Sequence, residues 1–118
     1  MSHRMTTALA LAVVACATSP TLPENDPALS GSIVARDIPT SPAQGRATIH
    51  VKEHPSDPCG IIFTVTPETQ IFRRTDRTVV RAEPADLTVS RSVAVWARAI
   101  LESCPAQARA DAIEILSD

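Results

Sequence analysis

His50, His54 and Asp57 are the densest group of metal- or proton-handling side chains in the chain. On a helix, His50 and His54 would share a face at i, i+4 and could hold zinc. His50, however, stands in the alternating run Ile49-His50-Val51-Lys52, and His54 precedes Pro55, which disfavours helix. They read as strand and loop residues. Ser92 and Ser103 have no neighbouring histidine and no Gly-x-Ser-x-Gly elbow. Gly31, Gly45 and Gly60 are the only glycines, too dispersed for a phosphate-cradling loop. Nothing distinguishes the carboxylates of Asp37 and Glu53. The sequence therefore predicts no catalytic residue, no cofactor and no metal ligand.

Arg73, Arg74, Arg77 and Arg81 form the one basic cluster, with Phe72 as its neighbouring ring. Basic and aromatic groups on a β-barrel face bind anionic chains. Arg73, Arg74, Arg77 and Trp96 are accordingly weak ligand-binding candidates. Against this, Arg73 and Arg74 are adjacent in a strand pattern and point to opposite faces. Asp76 and Glu83 dilute the charge. A solvated hairpin is the plainer reading; an anionic envelope polymer or lipid headgroup, bound in a salt-dependent way, is the other.

The third chemistry belongs to cysteine. The chain opens MSHRMTTALALAVVAC: a cationic head at Arg4, then an uncharged run of Ala, Leu and Val from Ala8 to Ala15. That is the pattern of a secretory signal. It falls far short of the roughly 20 residues that span a bilayer as a helix. Val13-Val14-Ala15-Cys16 resembles the bacterial lipobox. The resemblance implies a diacylglyceryl group on the Cys16 thiol and cleavage before Cys16. Several acyl chains attach a protein durably, whereas one is marginal. The partner so implied is a membrane. With Ala17 rather than Asp after the cysteine, a Gram-negative cell would pass the protein to the outer membrane, facing the periplasm. Otherwise the outer face of the cell membrane is expected.

Removing residues 1–15 takes away Arg4 alone among the charges and leaves a formal charge of −3. That argues against a nucleic-acid partner. Phe63, Phe72 and Trp96 are the only rings, so the core must be aliphatic and thin. Small domains of this kind often carry a covalent staple. With Cys16 lipidated, Cys59 and Cys104 remain as an even pair in an oxidising compartment. A Cys59–Cys104 disulfide is predicted, worth roughly 4 kcal/mol of chain entropy for a loop of this length. Two buried thiols or a metal site are the alternatives.

Residues 17–30, with Pro20, Pro23 and Pro27, read as a semi-rigid tether. Residues 31–118 read as one small domain. Ile49 to Lys52, Ile61 to Thr66 and Thr78 to Arg81 carry strand patterns, with Pro-, Gly- and Asp-rich turns between them. Spacing of this sort suggests a barrel or sandwich. Beyond residue 92 two periods compete. Val93, Trp96, Ala97, Ile100, Leu101 and Cys104 fit one helical face, and Pro105 could separate two C-terminal helices in an α+β fold. Alternation of Val93 and Val95, and of Ile113 and Ile115, fits strands equally well.

A family resemblance favours strands. Asp86-Leu87-Thr88-Val89-Ser90-Arg91-Ser92-Val93-Ala94-Val95-Trp96 is similar to a "DL-x-V-G-x-x-V-x-V-W" pattern. Glu102-Ser103-Cys104-Pro105-Ala106-Gln107-Ala108-Arg109-Ala110-Asp111-Ala112-Ile113-Glu114-Ile115 is similar to "E-S-Y-P-A-Q-A-x-A-x-x-I-x-I". Both belong to the YobA-like domain of unknown function, and the resemblance covers about residues 31–116. It implies a mainly β fold, a small OB-like β-barrel, in a secreted or lipid-anchored bacterial protein. Strands are then expected near 31–38, 47–53, 60–66, 69–74, 78–82, 92–99 and 107–116, with a helical turn at Pro84 to Leu87. Ser90 stands where the family pattern has glycine, so a turn with positive φ would be costly there. Cys104 replaces an aromatic residue, which is coherent if it pairs with Cys59. Gln107 is expected to satisfy backbone groups where the last strand begins.

These readings point to a lipid-anchored, non-enzymatic envelope module that binds an unidentified ligand or envelope protein. The alternatives are an accessory subunit of an envelope complex and, less favoured by the residues, a small metal-dependent or hydrolytic enzyme. An exposed apolar patch near Trp96 would favour the accessory subunit. A polar concave groove would favour ligand binding, and converging histidine and carboxylate groups an enzyme.

Overall fold

A computed structural model describes residues 20–41 and 45–116. The expected signal segment and Cys16 lie outside the described residues. Among the described residues nine strands form a single sheet: β1 (Leu29–Asp37), β2 (Ala47–Lys52), β3 (Ile61–Val65), β4 (Gln70–Thr75), β5 (Thr78–Arg81), β6 (Ser92–Trp96), β7 (Ile100–Leu101), β8 (Ala106–Arg109) and β9 (Ala112–Ile115). One 3-10 turn, Pro84–Asp86, joins β5 to β6, where the sequence placed it. The mainly β expectation holds.

The helical alternative for the last third does not. Residues 92–116 are strands and turns because both faces of β6 and β9 are buried. Val93, Val95, Ile113 and Ile115 enter the main core, while Ala94, Trp96 and Ala112 build a second cluster on the opposite face. A strand covered on both sides reads as a continuous apolar run, and such a run satisfies a helical period as easily as a strand period.

Hydrogen-bonded order runs β5-β4-β9-β6-β1-β2-β3-β8-β7. The two ends of that order do not pair, so the sheet is not closed into a full barrel. The reason lies in the C-terminal segment, expected as one strand over 107–116. It breaks at Ala110-Asp111 into β8, parallel to β3, and β9, antiparallel to β6. At the break Ala110 N–H donates to Thr64 O (2.9 Å) and Asp111 N–H to Trp96 O (2.7 Å). Ladders thus lead from β9 through β6, β1, β2 and β3 to β8, and β8 is joined to β9 along the chain and not through a ladder.

Strand alternation sends Ile33, Ile49, Val51, Phe63, Ile71, Val93, Val95, Ile113 and Ile115 inward. Leu87, fully buried, follows the 3-10 turn into the same core. Gly31 sits where a Cβ would collide with the Lys52 carbonyl of the neighbouring strand, so β1 and β2 approach closely only because it has none. Between Ile33 and Ala35 the β1–β2 register shifts by one residue at Val34, a bulge that increases the local twist.

The segment expected as tether is in part docked. Leu22 packs on the second cluster beside Phe72 and Trp96, and Trp96 Nε1–H donates to Asn25 O at 2.8 Å. Ala28 N–H donates to Val95 O (2.8 Å), and β1 begins at Leu29, before residue 31.

A disulfide joins Cys59 to Cys104, with Cα atoms 4.8 Å apart, as the cysteine count predicts. It ties the turn before β3 to the turn before β8. Ser90 does adopt positive φ, at 81°.

Candidate functional site

One end of the sheet carries a cleft of about 630 Å³. β1 ends at Asp37, and Ile38-Pro39 turns the chain away; Gly45-Arg46 brings it back into β2. Pro67 follows β3 and starts a tight turn in which Thr69 N–H donates to Thr66 O at 3.0 Å. Proline lacks the N–H a strand needs, so β3 stops there and leaves the rim open. Pro84, at the first position of the 3-10 turn, supplies another wall. Parallel pairing of β3 with β8 sets Arg109 beside Thr64.

The cleft is lined by the apolar residues Ile38, Pro39, Ala47, Val65, Pro67 and Pro84 together with two arginines, Arg46 and Arg109. Arg46 leads into β2 and Arg109 ends β8, so they stand on either side of β3, offset by two residues along it and about 12 Å apart at the backbone. Among the described residues no acidic side chain lines the cleft. Asp111, two residues from Arg109, is held bidentately by Arg98 (3.0 and 3.3 Å). Neither Arg46 nor Arg109 has an ion pair among the described residues. The Thr66 hydroxyl accepts from Glu68 N–H (3.2 Å) and meets the Thr69 hydroxyl. Thr64 also lines the cleft and adds a second hydroxyl to its wall. Cations, hydroxyls and alkyl walls can hold and orient a molecule that is charged at one end and apolar at the other.

The residues singled out from sequence stand elsewhere. Arg73 pairs with Asp86 (3.0 Å), and Arg74 with the buried Glu114 (2.6 Å), so they face different neighbours. Asp86 also accepts the Glu83 backbone N–H at 2.8 Å; that bond first, and Arg73 with it, hold its carboxyl below the usual aspartate value. Arg77 is exposed in the hairpin turn between β4 and β5. Trp96 is 7% exposed beneath Leu22. The structure does not bring these four side chains into one site.

His50 and Asp57 serve the disulfide loop. His50 Nε2–H donates to the Cys59 carbonyl at 2.8 Å, which places the proton on Nε2. Asp57 Oδ1 accepts the Cys59 N–H at 3.0 Å, and chiefly for that reason its carboxyl titrates low. His54 is exposed. Among the described residues no group of three or more His, Cys, Asp or Glu is arranged to hold a metal ion. Ser103 Oγ donates to Pro105 O at 2.7 Å. Gln107 is not the backbone-satisfying residue the sequence suggested; it is exposed, in register with Ile62 and Leu101.

The sequence did hold one trace of the cleft. From Ile38 to Lys52 there is no acid, while Arg46, His50 and Lys52 are all there. Nothing local could associate Arg109 with that stretch, since only the parallel β3–β8 pairing brings it near. No protein-family model matches the chain, and neither a curated protein nor a solved structure matches it.

Proposed function

We propose that this chain is an exported, lipid-anchored envelope protein whose β domain is a non-enzymatic ligand-binding module of the YobA-like type. The observation that carries the reading is the Cys59–Cys104 disulfide. Disulfides persist in oxidising compartments, and this one uses both cysteines other than Cys16. The remaining thiol stands at the end of the lipobox-like run, where acylation needs it. The OB-like part of the reading is supported by connectivity. Counting β8 and β9 as one bent strand, β1, β2, β3, β8–β9 and β6 neighbour one another in turn, and β6 returns to β1. That is the path of a partly open five-stranded Greek-key barrel.

Ligand binding is preferred to a role as accessory subunit for two reasons. Leu22 and Asn25 cover Trp96, so its ring is not itself presented to a partner. A concave cleft lined mainly by apolar groups with a few polar and charged ones has the general form of a small-molecule site.

The anchor is tested by expressing the full chain in a bacterium that processes lipoproteins and measuring the mass of the mature product. An N-terminus at Cys16 bearing a diacylglyceryl group is expected, and Cys16→Ser should abolish it. A mature product that retains residues 1–15, or begins elsewhere without an acyl group, contradicts the reading.

A further inference from the structure

We infer that the cleft between β2, β3 and the 3-10 turn binds a small amphiphilic carboxylate, its head between Arg46 and Arg109 and its alkyl body against Ile38, Val65, Pro67 and Pro84. This deepens the binding-module reading and rests on it.

Each half of the ligand is set by a different feature. The head must be anionic because, among the described residues, the two arginines have no carboxylate partner and no acid lines the space they border. The acids next to lining residues in sequence, Asp37, Glu68 and Glu83, are exposed and absent from the lining. A guanidinium fork matches a carboxylate in a planar, two-bond geometry. The arginines start about 12 Å apart at the backbone, and each side chain is long enough to reach a head placed over β3 between them. Thr64, in register with Arg109, offers its hydroxyl as a third donor at the same point.

The body must be apolar because the remaining walls are alkyl and pyrrolidine groups. A fully hydrated inorganic anion would leave those walls wet and gain nothing from them. A cleft of about 630 Å³ is in the range that takes drug-sized molecules. It is also concave, so a single molecule entering it fits better than a flat bilayer lying over it. Burying a chain of about eight methylenes favours a medium-chain carboxylate strongly over acetate, since each buried methylene adds to the hydrophobic gain.

The test uses the full chain carrying Cys16→Ser, with its disulfide formed, titrated by backbone amide NMR. The probes are decanoate, decanol, acetate and vesicles of phosphatidylglycerol. Decanoate should shift the amides of Arg46, Thr64, Thr66 and Arg109 saturably below millimolar concentration. Decanol and acetate should bind at least about tenfold more weakly. Arg46→Gln and Arg109→Gln should each weaken decanoate about tenfold or more, the loss of one charge-assisted pair. Both arginines are exposed, so the variants should keep their melting temperature, and Arg109→Lys should recover part of the affinity. The inference is overturned by any of four results. Decanoate does not saturate at millimolar concentration. The double glutamine variant binds it as the parent does. Decanol binds equally. Vesicles shift these amides while free decanoate does not. Acylation of Cys16 is read by mass and does not enter this titration, so the anchor and the ligand stand or fall separately.

Discussion

Ser90 carries a backbone conformation that suits glycine. Its φ is 81°, and Arg91 N–H donates to Thr88 O at 3.1 Å, so residues 88–91 form a tight turn with positive φ at its third position, as a type II turn has. The turn cannot relax alone. Ser90 N–H donates to Ile33 O (2.8 Å), and Ile33 N–H donates to Arg91 O (3.0 Å), which fastens it to β1. A left-handed conformation costs an L-residue about 1–2 kcal/mol. Ser90→Gly removes that cost, but glycine's extra freedom in the unfolded chain returns about 0.4–1 kcal/mol of it. At mid-range values, about 1.5 less about 0.7 kcal/mol, the net gain is about 0.8 kcal/mol. For a domain of this size it should raise the melting temperature by about 2–8 °C. Ser90 is exposed, so no packing changes confuse the comparison. Ser90→Ala keeps the Cβ and should melt near the parent, whereas Ser90→Val, β-branched at positive φ, should melt lower. Thermal unfolding by circular dichroism, with the disulfide intact, measures all three. A glycine variant that melts at or below the parent refutes the reasoning.

Three further perturbations test other parts of the structure. Replacing Cys59 and Cys104 together by serine should cost about 4 kcal/mol, read as a lower denaturant midpoint, and a loss under about 1 kcal/mol would show that the bond constrains little. Arg74→Ala strands the buried Glu114 carboxylate and should cost about 1–3 kcal/mol, whereas Arg77→Ala, in an exposed turn, should stay within about 0.5 kcal/mol. Asp57 and Asp86 both titrate below the ordinary 3.8, so their contribution to stability is present above that pH and is lost as pH falls through the lower folded values. Melting temperature should therefore be flat near neutrality and drop below about pH 4, and the pair Asp57→Asn with Asp86→Asn should flatten that drop; an unchanged acid limb would contradict the two backbone hydrogen bonds.

Cys59 and Cys104 and the strand patterns of β2, β3 and β5 were readable along the chain because each rests on local chemistry or on a count, while the turn at Pro84 was placed through the family resemblance, with proline suited to its first position. The last third was not, since Val93 to Trp96 and Ala112 to Ile115 are buried on both faces and their periods say nothing about which neighbours cover them. The arginines show the same division. Arg73, Arg74 and Arg77 draw the eye because they are adjacent, yet Arg73 and Arg74 are engaged by Asp86 and Glu114, which lie well away in sequence.

Residue type and position alone were enough for a mainly β chain and for a cysteine count that pairs Cys59 with Cys104. Folding in three dimensions decided where the sheet opens, that Leu22 folds back over Trp96, and that Arg46 and Arg109 stand on either side of β3. These features depend on contacts between segments far apart in the chain, and no local pattern encodes which segments will meet. The break at Ala110-Asp111 is the clearest case: two ordinary residues turn one strand into two because Thr64 and Trp96 accept their N–H groups from different strands.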